Sequence, residues 1–338
     1  MRKWCLFLSA FFCIIVNAQR VVEHDQVKFP DSIPAGGYSG ITWLGGDDYA
    51  VVTDNAATDG YFLFRISLDS LGRISSAANL GFKGGSGGAS DCEDVAWVSQ
   101  LGSLFVTGEK DNQIRELSLD GKATGRILPL PDAFNGTSSA YGIEALSYNA
   151  VTHRFWTTSE STLAGDGMRA NATNGVANSL RLISFDDDLK PVRQYHYVMD
   201  VATTEVQPQN YALGVSAITA LDDGRLLVLE REFAVLESKI GSYVNCKIYI
   251  VNPNDGQGSD FSDNINNVKP LEKTLLAEWM TAIGLLDFSI ANYEGMCLGP
   301  RLQDGGQVIV LVADSQNQYG GILSDWLKTF VIYFDTIG

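Results

Sequence analysis

Gly214–Phe233 reads GVSAITALDDGRLLVLEREF, and this stretch decides the fold. Val215, Ala217 and Ala220 mark a first apolar run. Asp222-Asp223-Gly224 is a turn signal, because Gly adopts positive φ without strain and Asp can bond its own backbone. Leu226-Leu227-Val228-Leu229 is a second run, apolar on both faces and so in need of cover on both sides. It stops at Glu230-Arg231-Glu232. The stretch predicts two antiparallel strands joined by a tight turn.

Four other segments align with it. Ser39-Gly40-Ile41-Thr42-Trp43 goes with Val51-Val52-Thr53-Asp54, and Glu93-Asp94-Val95-Ala96-Trp97 with Phe105-Val106-Thr107-Gly108-Glu109. Glu144-Ala145-Leu146-Ser147-Tyr148 goes with Phe155–Glu160, and Glu294-Gly295-Met296-Cys297-Leu298 with Val310–Asp314. In each unit a Ser or Glu opens one strand and an acid closes the next, Glu230 being the closer of the quoted stretch. Two further strands follow each pair, except in the last unit, which lacks its fourth. Arg20–Phe29 offers the missing strand.

A ring closed by pairing the first strand with the last unit leaves no open edge. The fold expected is therefore all-β, a single β-propeller of five to six four-stranded blades closed by the N-terminal strand. Repeat starts at 39, 93, 144, 216 and 294 count five. A degenerate sixth blade would have to lie in Val201–Gly214 or Met280–Asn292. A β-sandwich is the other all-β choice, but it gives no reason for an acid at the end of the same strand five times.

Composition limits the function. The 338 residues are 45% hydrophobic and 19% charged, an ordinary globular balance. Met1–Ala18 has the form of a secretion signal: Arg2 and Lys3, an apolar run Cys5–Val16, then the small-residue site Val16-Asn17-Ala18. The domain expected is then 19–338, exported to the periplasm or beyond, soluble and monomeric, with no membrane span. The formal net charge is −16, and loss of Arg2 and Lys3 takes it to −18. Nucleic acid is thereby disfavoured as a partner. Cys92, Cys246 and Cys297 remain, either as small buried thiols or as one disulfide and one free Cys.

First-strand openers (Ser39, Glu93, Glu144, Ser216, Glu294) and second-strand closers (Asp54, Glu109, Glu160, Glu230, Asp314) should gather at one mouth of the channel, because the two strands are antiparallel. Up to eight carboxylates would meet there, with Arg231 and Lys110 the only cations in the motifs. Like charges about 4 Å apart repel by roughly 4 kcal/mol at an effective dielectric near 20. A divalent cation, raised carboxyl pKa values or splaying into solvent would relieve this. Oxygen ligands alone favour Ca2+, ahead of Mg2+, over zinc. Glu93, Glu144 and Glu294, with Asp54 and Asp314, are the metal candidates, and Asp287, Asn292 and Asn317 could add oxygens. The alternative is that these acids accept backbone N–H bonds and merely fix the blades.

Other motifs are weaker. Gly84-Gly85-Ser86-Gly87-Gly88 matches G-x-S-x-G but lies in a Gly-rich loop, without the strand-to-helix context of a nucleophile elbow. His24, His153 and His196 neighbour no repeated acid, so a Ser-His-Asp triad lacks support.

Ser39-Gly40-Ile41, Ile218–Arg231 and Asn292–Leu302 together resemble the phytase-like domain family, "esterase-like activity of phytase", over about Tyr38 to Phe334. The resemblance implies an exported propeller and phosphate-ester hydrolysis; it carries over no catalytic residue. Three functions are open. In a metal-assisted hydrolase of a small phosphate ester or related ester, Arg231 would clamp the phosphoryl oxygen and Glu230 would hold Arg231 or act as base. A non-catalytic binding propeller would use the acidic mouth for a structural cation. A lactonase-like esterase would share the calcium and dispense with Arg231.

Overall fold

The computed structural model describes residues 19–85, 88–134, 142–204, 207–286 and 288–334. The expected leader Met1–Ala18, Ser86 and Gly87 of the G-x-S-x-G match, and Asp287 fall outside them.

Among the described residues, twenty-one strands form five antiparallel sheets. The N-terminal pieces are β1 (Arg20–Glu23) and β2 (Val27–Lys28). Blade 1 holds β3 (Tyr38–Gly45), β4 (Asp48–Thr53), β5 (Gly60–Leu68) and β6 (Ile74–Gly84). Blade 2 holds β7 (Cys92–Val98), β8 (Ser103–Gly108), β9 (Gln113–Ser118) and β10 (Ala123–Leu128). Blade 3 holds β11 (Ile143–Asn149), β12 (Arg154–Ser159), β13 (Ser179–Phe185) and β14 (Pro191–Val198). Blade 4 holds β15 (Asn210–Ala220), β16 (Leu226–Val235), β17 (Tyr243–Val251) and β18 (Lys273–Ala282). Blade 5 holds β19 (Asn292–Arg301), β20 (Gln307–Asp314) and β21 (Trp326–Tyr333). Both β1 and β2 pair with β21, which completes blade 5 with the start of the chain.

The first strands β3, β7, β11, β15 and β19 contact one another in that order, and β19 returns to β3. They form the wall of a central channel in a five-bladed propeller. No sixth blade exists among the described residues. Asn210–Gly214 extends β15, and Met280–Ala282 ends β18.

Radial sheets bury both faces, so the sequence must supply apolar side chains in both directions. β16 shows how. Leu226 and Val228 pack toward blade 3 with Leu180, Leu182 and Tyr197. Leu227 and Leu229 pack toward blade 5 with Ile309, Leu311 and Phe330. Each fully buried side chain of this size contributes about 1.5–3 kcal/mol. The described residues hold one such cluster at each blade interface. The turn before β16 places Gly224 at φ +87°, where a side chain would be strained. Cys92, Cys246 and Cys297 are buried free thiols.

Candidate functional site

Every opener lies in a β-bulge. The register breaks between Tyr38 and Ile41, Cys92 and Val95, Ile143 and Ala145, Val215 and Ala217, and Tyr293 and Gly295. These breaks span Ser39, Glu93, Glu144, Ser216 and Glu294. A bulge adds one residue against one partner and re-aims its side chain. The repeated device turns the openers toward the mouth at which the first strands begin.

Two openers serve structure. Ser39 Oγ donates to the Cys92 carbonyl at 2.8 Å, and Ser216 Oγ to the Tyr293 carbonyl at 3.1 Å, tying each blade to a neighbour. The acidic openers behave differently. Among the described residues no hydrogen bond or ion pair closes on the carboxylates of Glu93 and Glu144. Burial, then the charges of Glu144 and Glu294, push the Glu93 pKa well up. Burial, then Glu160 and Glu294, do the same to Glu144.

Closers follow from the register one step beyond the bulge. Asp54 N bonds Gly37 O, Glu109 N bonds Asp91 O, and Glu160 N bonds Gly142 O. Asp314 stands opposite Asn292. In blade 4 the residue in this column is Arg231, opposite Gly214; Glu230 stands opposite Val215. The expectation that Glu230 joins the ring is corrected here. Successive strand residues face opposite ways, so a one-residue offset sends a side chain to the other side of the sheet. Glu230 follows Leu226 and Val228 toward blade 3. There it accepts from Tyr197 Oη and Lys273 Nζ, both at 2.6 Å, and from the Asp200 amide at 3.1 Å.

The mouth thus collects Asp54, Glu93, Glu109, Glu144, Glu160, Glu294 and Asp314 around Arg231. Arg231 Nη1 donates to Glu294 Oε1 at 2.7 Å and Asn292 Oδ1 at 3.0 Å, and Nη2 donates to Glu160 Oε1. Its side chain is 4% exposed, and Nε is buried without a partner. The Glu294 and Glu160 charges raise the Arg231 pKa against the desolvation that lowers it. Both Nη atoms donate to protein oxygens and the side chain is buried, so Arg231 holds carboxylates in place and presents no exposed fork to a phosphoryl group.

Burial and the surrounding charges raise the other acids. Asp54 rises to about 7 by burial, then by the Glu294 and Asp91 charges. Glu109 rises to about 7 by burial, then by Glu160 and Asp91. Asp314 is pushed well up by burial and by Glu294 and Asp54. Glu160 is raised by burial, against the pull of Arg231. Among the described residues no three His, Cys, Asp or Glu side chains converge on one point as metal ligands do.

Of the residues singled out from sequence, Glu93, Glu144, Glu294, Asp54, Asp314 and Arg231 share this mouth, and Glu230 does not. The repeat names Glu109 and Glu160 as closers without ranking them, yet Glu160 is a direct partner of Arg231. Asp91 escaped notice. Its signal is the column shared with Gly37, Gly142, Gly214 and Asn292, opposite the closers. The histidines are elsewhere: His24 on the Leu71 carbonyl, His153 beside Asp187, and His196 between Ser179 and the Val268 carbonyl.

A model of the phytase-like family, described as "Esterase-like activity of phytase", matches residues 33–316. The chain belongs to the phytase-like family. No curated protein matches it in sequence. Solved structures with a similar course include an endo-arabinase from Bacteroides thetaiotaomicron, 12% identical, with 92% of this chain and 98% of that one covered and a TM-score of 0.48. A structure titled RS223-Beta-xylosidase is 7% identical, with 93% and 97% covered and a TM-score of 0.47. A streptogramin B lyase is 14% identical, with 93% and 98% covered and a TM-score of 0.36. These likenesses are too distant to carry any chemistry to the phytase-like propeller. Among its described residues no helix is long and apolar enough to cross a membrane.

Proposed function

We propose that this phytase-like propeller is a metal-assisted hydrolase of a small phosphate ester or related ester, exported behind the leader Met1–Ala18 and acting as a monomer. One observation carries the reading: among the described residues seven carboxylates face one mouth, and the guanidinium buried between them, Arg231, is paired to only two. The remaining negative charge is neutralised either by protons, as the raised pKa values express, or by a cation. Near pH 7 such a cation would be a divalent ion that prefers oxygen ligands, Ca2+ ahead of Mg2+. Glu93 and Glu144, free of protein partners among the described residues, would be its first ligands, with Asp54, Glu294 and Asp314 beside them.

A bound cation would polarise an ester oxygen and acidify a water. It would also reverse the local repulsion that an acidic chain exerts on a phosphate. Arg231 then acts as a positioning residue, fixing Glu294 and Glu160. A binding propeller with a structural cation is the second reading. It is favoured by the commitment of Arg231 to protein oxygens, which leaves the mouth without an open phosphate clamp.

Assays of p-nitrophenyl phosphate, p-nitrophenyl acetate and a lactone, with Ca2+ and with EDTA, separate the readings. Calcium-dependent turnover of an ester supports the hydrolase. Calcium binding with no turnover on any of the three supports the binding propeller.

A further inference from the structure

The other end of the channel holds a cavity of about 300 Å3, lined by the far halves of all five first strands and their turns. We propose that it is a second binding site, for a small organic cation carrying apolar substituents, such as a quaternary ammonium.

The site grows from one column of the repeat. The residue four past each opener is Trp43, Trp97, Tyr148, Ala220 and Leu298 in blades 1 to 5. Trp43, Trp97 and Tyr148, from consecutive blades, are among the lining residues, each partly buried against a blade interface, and Ala220 leaves room on the other side. At about 3.3 Å per strand residue, this layer lies about 13 Å from the openers. It is therefore separate from the acidic mouth.

Two of the rings are held in place. Trp43 Nε1 donates to the Gly46 carbonyl at 2.9 Å. Tyr148 Oη donates to Asp187 Oδ1 at 2.9 Å, and its ring centroid lies 4.5 Å from that of Phe155. Trp97 is half-buried beside them.

The polar lining is largely committed to the protein. Thr219 Oγ1 donates to the Met296 carbonyl at 2.8 Å. Thr42 Oγ1 accepts from Trp97 N at 3.3 Å, and Ser147 Oγ accepts from Ala220 N at 3.0 Å. Asn149 Nδ2 is shared between the Ala220 carbonyl and Asp222 Oδ1, and its Oδ1 accepts from Val151 N and Thr152 N.

The charge on the lining has one sign. No Lys, Arg or His lines the cavity, whereas Asp222 does, exposed and without an ion pair among the described residues. Ring faces attract cations, Trp most strongly, and the attraction grows as the cation is desolvated. The net charge of −16 steers cations toward the molecule and anions away. Aromatic residues and one exposed carboxylate, with no cationic side chain in the lining, together select an organic cation.

The test is a titration of the full chain with tetramethylammonium and choline, read by calorimetry and tryptophan fluorescence, with Ca2+ saturating so that the acidic mouth is occupied. Saturable binding is expected. It should weaken about tenfold in Trp97→Ala, the size of one cation–π contact, and severalfold in Asp222→Asn. Asp222 is exposed, so its variant folds even if the tryptophan variant does not. The neutral choline isostere 3,3-dimethylbutanol should bind at least about tenfold more weakly. Equal binding of the isostere, no saturable binding, binding of glucose instead, or an Asp222→Asn variant with unchanged affinity would each overturn the proposal.

Discussion

Arg231 Nη1 lies 2.7 Å from Glu294 Oε1, a bond between the second strand of blade 4 and the first strand of blade 5. The same guanidinium reaches Glu160, just past the second strand of blade 3, and so ties three blades at the channel mouth. It owes this position to register. Gly214, opposite Arg231, has no Cβ, and a Cβ there would come within 2.3 Å of Glu160 Cγ.

Removing the guanidinium leaves two buried carboxylates without their partner. Breaking a buried pair in this way costs about 3–5 kcal/mol. Arg231→Gln should lose stability of that order in metal-free denaturant melts at pH 8, with much of it regained at pH 5, where protons replace the lost charge. Equal losses at both pH values would show that packing is at work and not charge.

The raised carboxyls set the direction of the pH dependence. Asp54 and Glu109 rise from 3.8 and 4.5 to about 7 in the folded chain. The folded state therefore holds more protons than the unfolded state between about pH 4 and 7, and stability falls as pH rises through that window. The melting temperature of metal-free protein should drop from pH 5 to pH 8, and Ca2+ should raise it more at pH 8 than at pH 5. A metal-free melting temperature that climbs over this range would contradict the clustered mouth.

Glu230 offers the complementary control. It is 3% exposed and bonded to Tyr197, Lys273 and the Asp200 amide, away from the mouth. Glu230→Gln should cost about 1–3 kcal/mol, as expected for weakening bonds to a buried charged group. Its calcium affinity should equal that of the wild type, and a fall in affinity without loss of stability would return Glu230 to the site.

The blade pattern was legible because the same physical demand recurs five times: two apolar faces, a turn and a polar strand end. The closing strand was legible for a related reason, since one unit was short and Arg20–Phe29 was spare. Legibility failed at Glu230-Arg231. Aligning acid with acid satisfies chemical likeness, but facing is decided by ladder register, and the hairpins between first and second strands differ in length. A one-residue uncertainty moves a side chain from the channel to the blade interface. The pairing of Arg231 with Glu160 was hidden as well, because those residues are 71 positions apart and meet only when blade 4 packs on blade 3.

The central claim is that the ring of acids holds a divalent cation. Calorimetric titration of metal-free protein with Ca2+ at pH 8 tests it most directly, with Glu93→Gln and Glu144→Gln in parallel. The account predicts one saturable site per chain, weakened by about tenfold or more in each variant as a ligand charge is lost. A folded protein that shows no saturable calcium binding, or variants that bind as the wild type does, would contradict it.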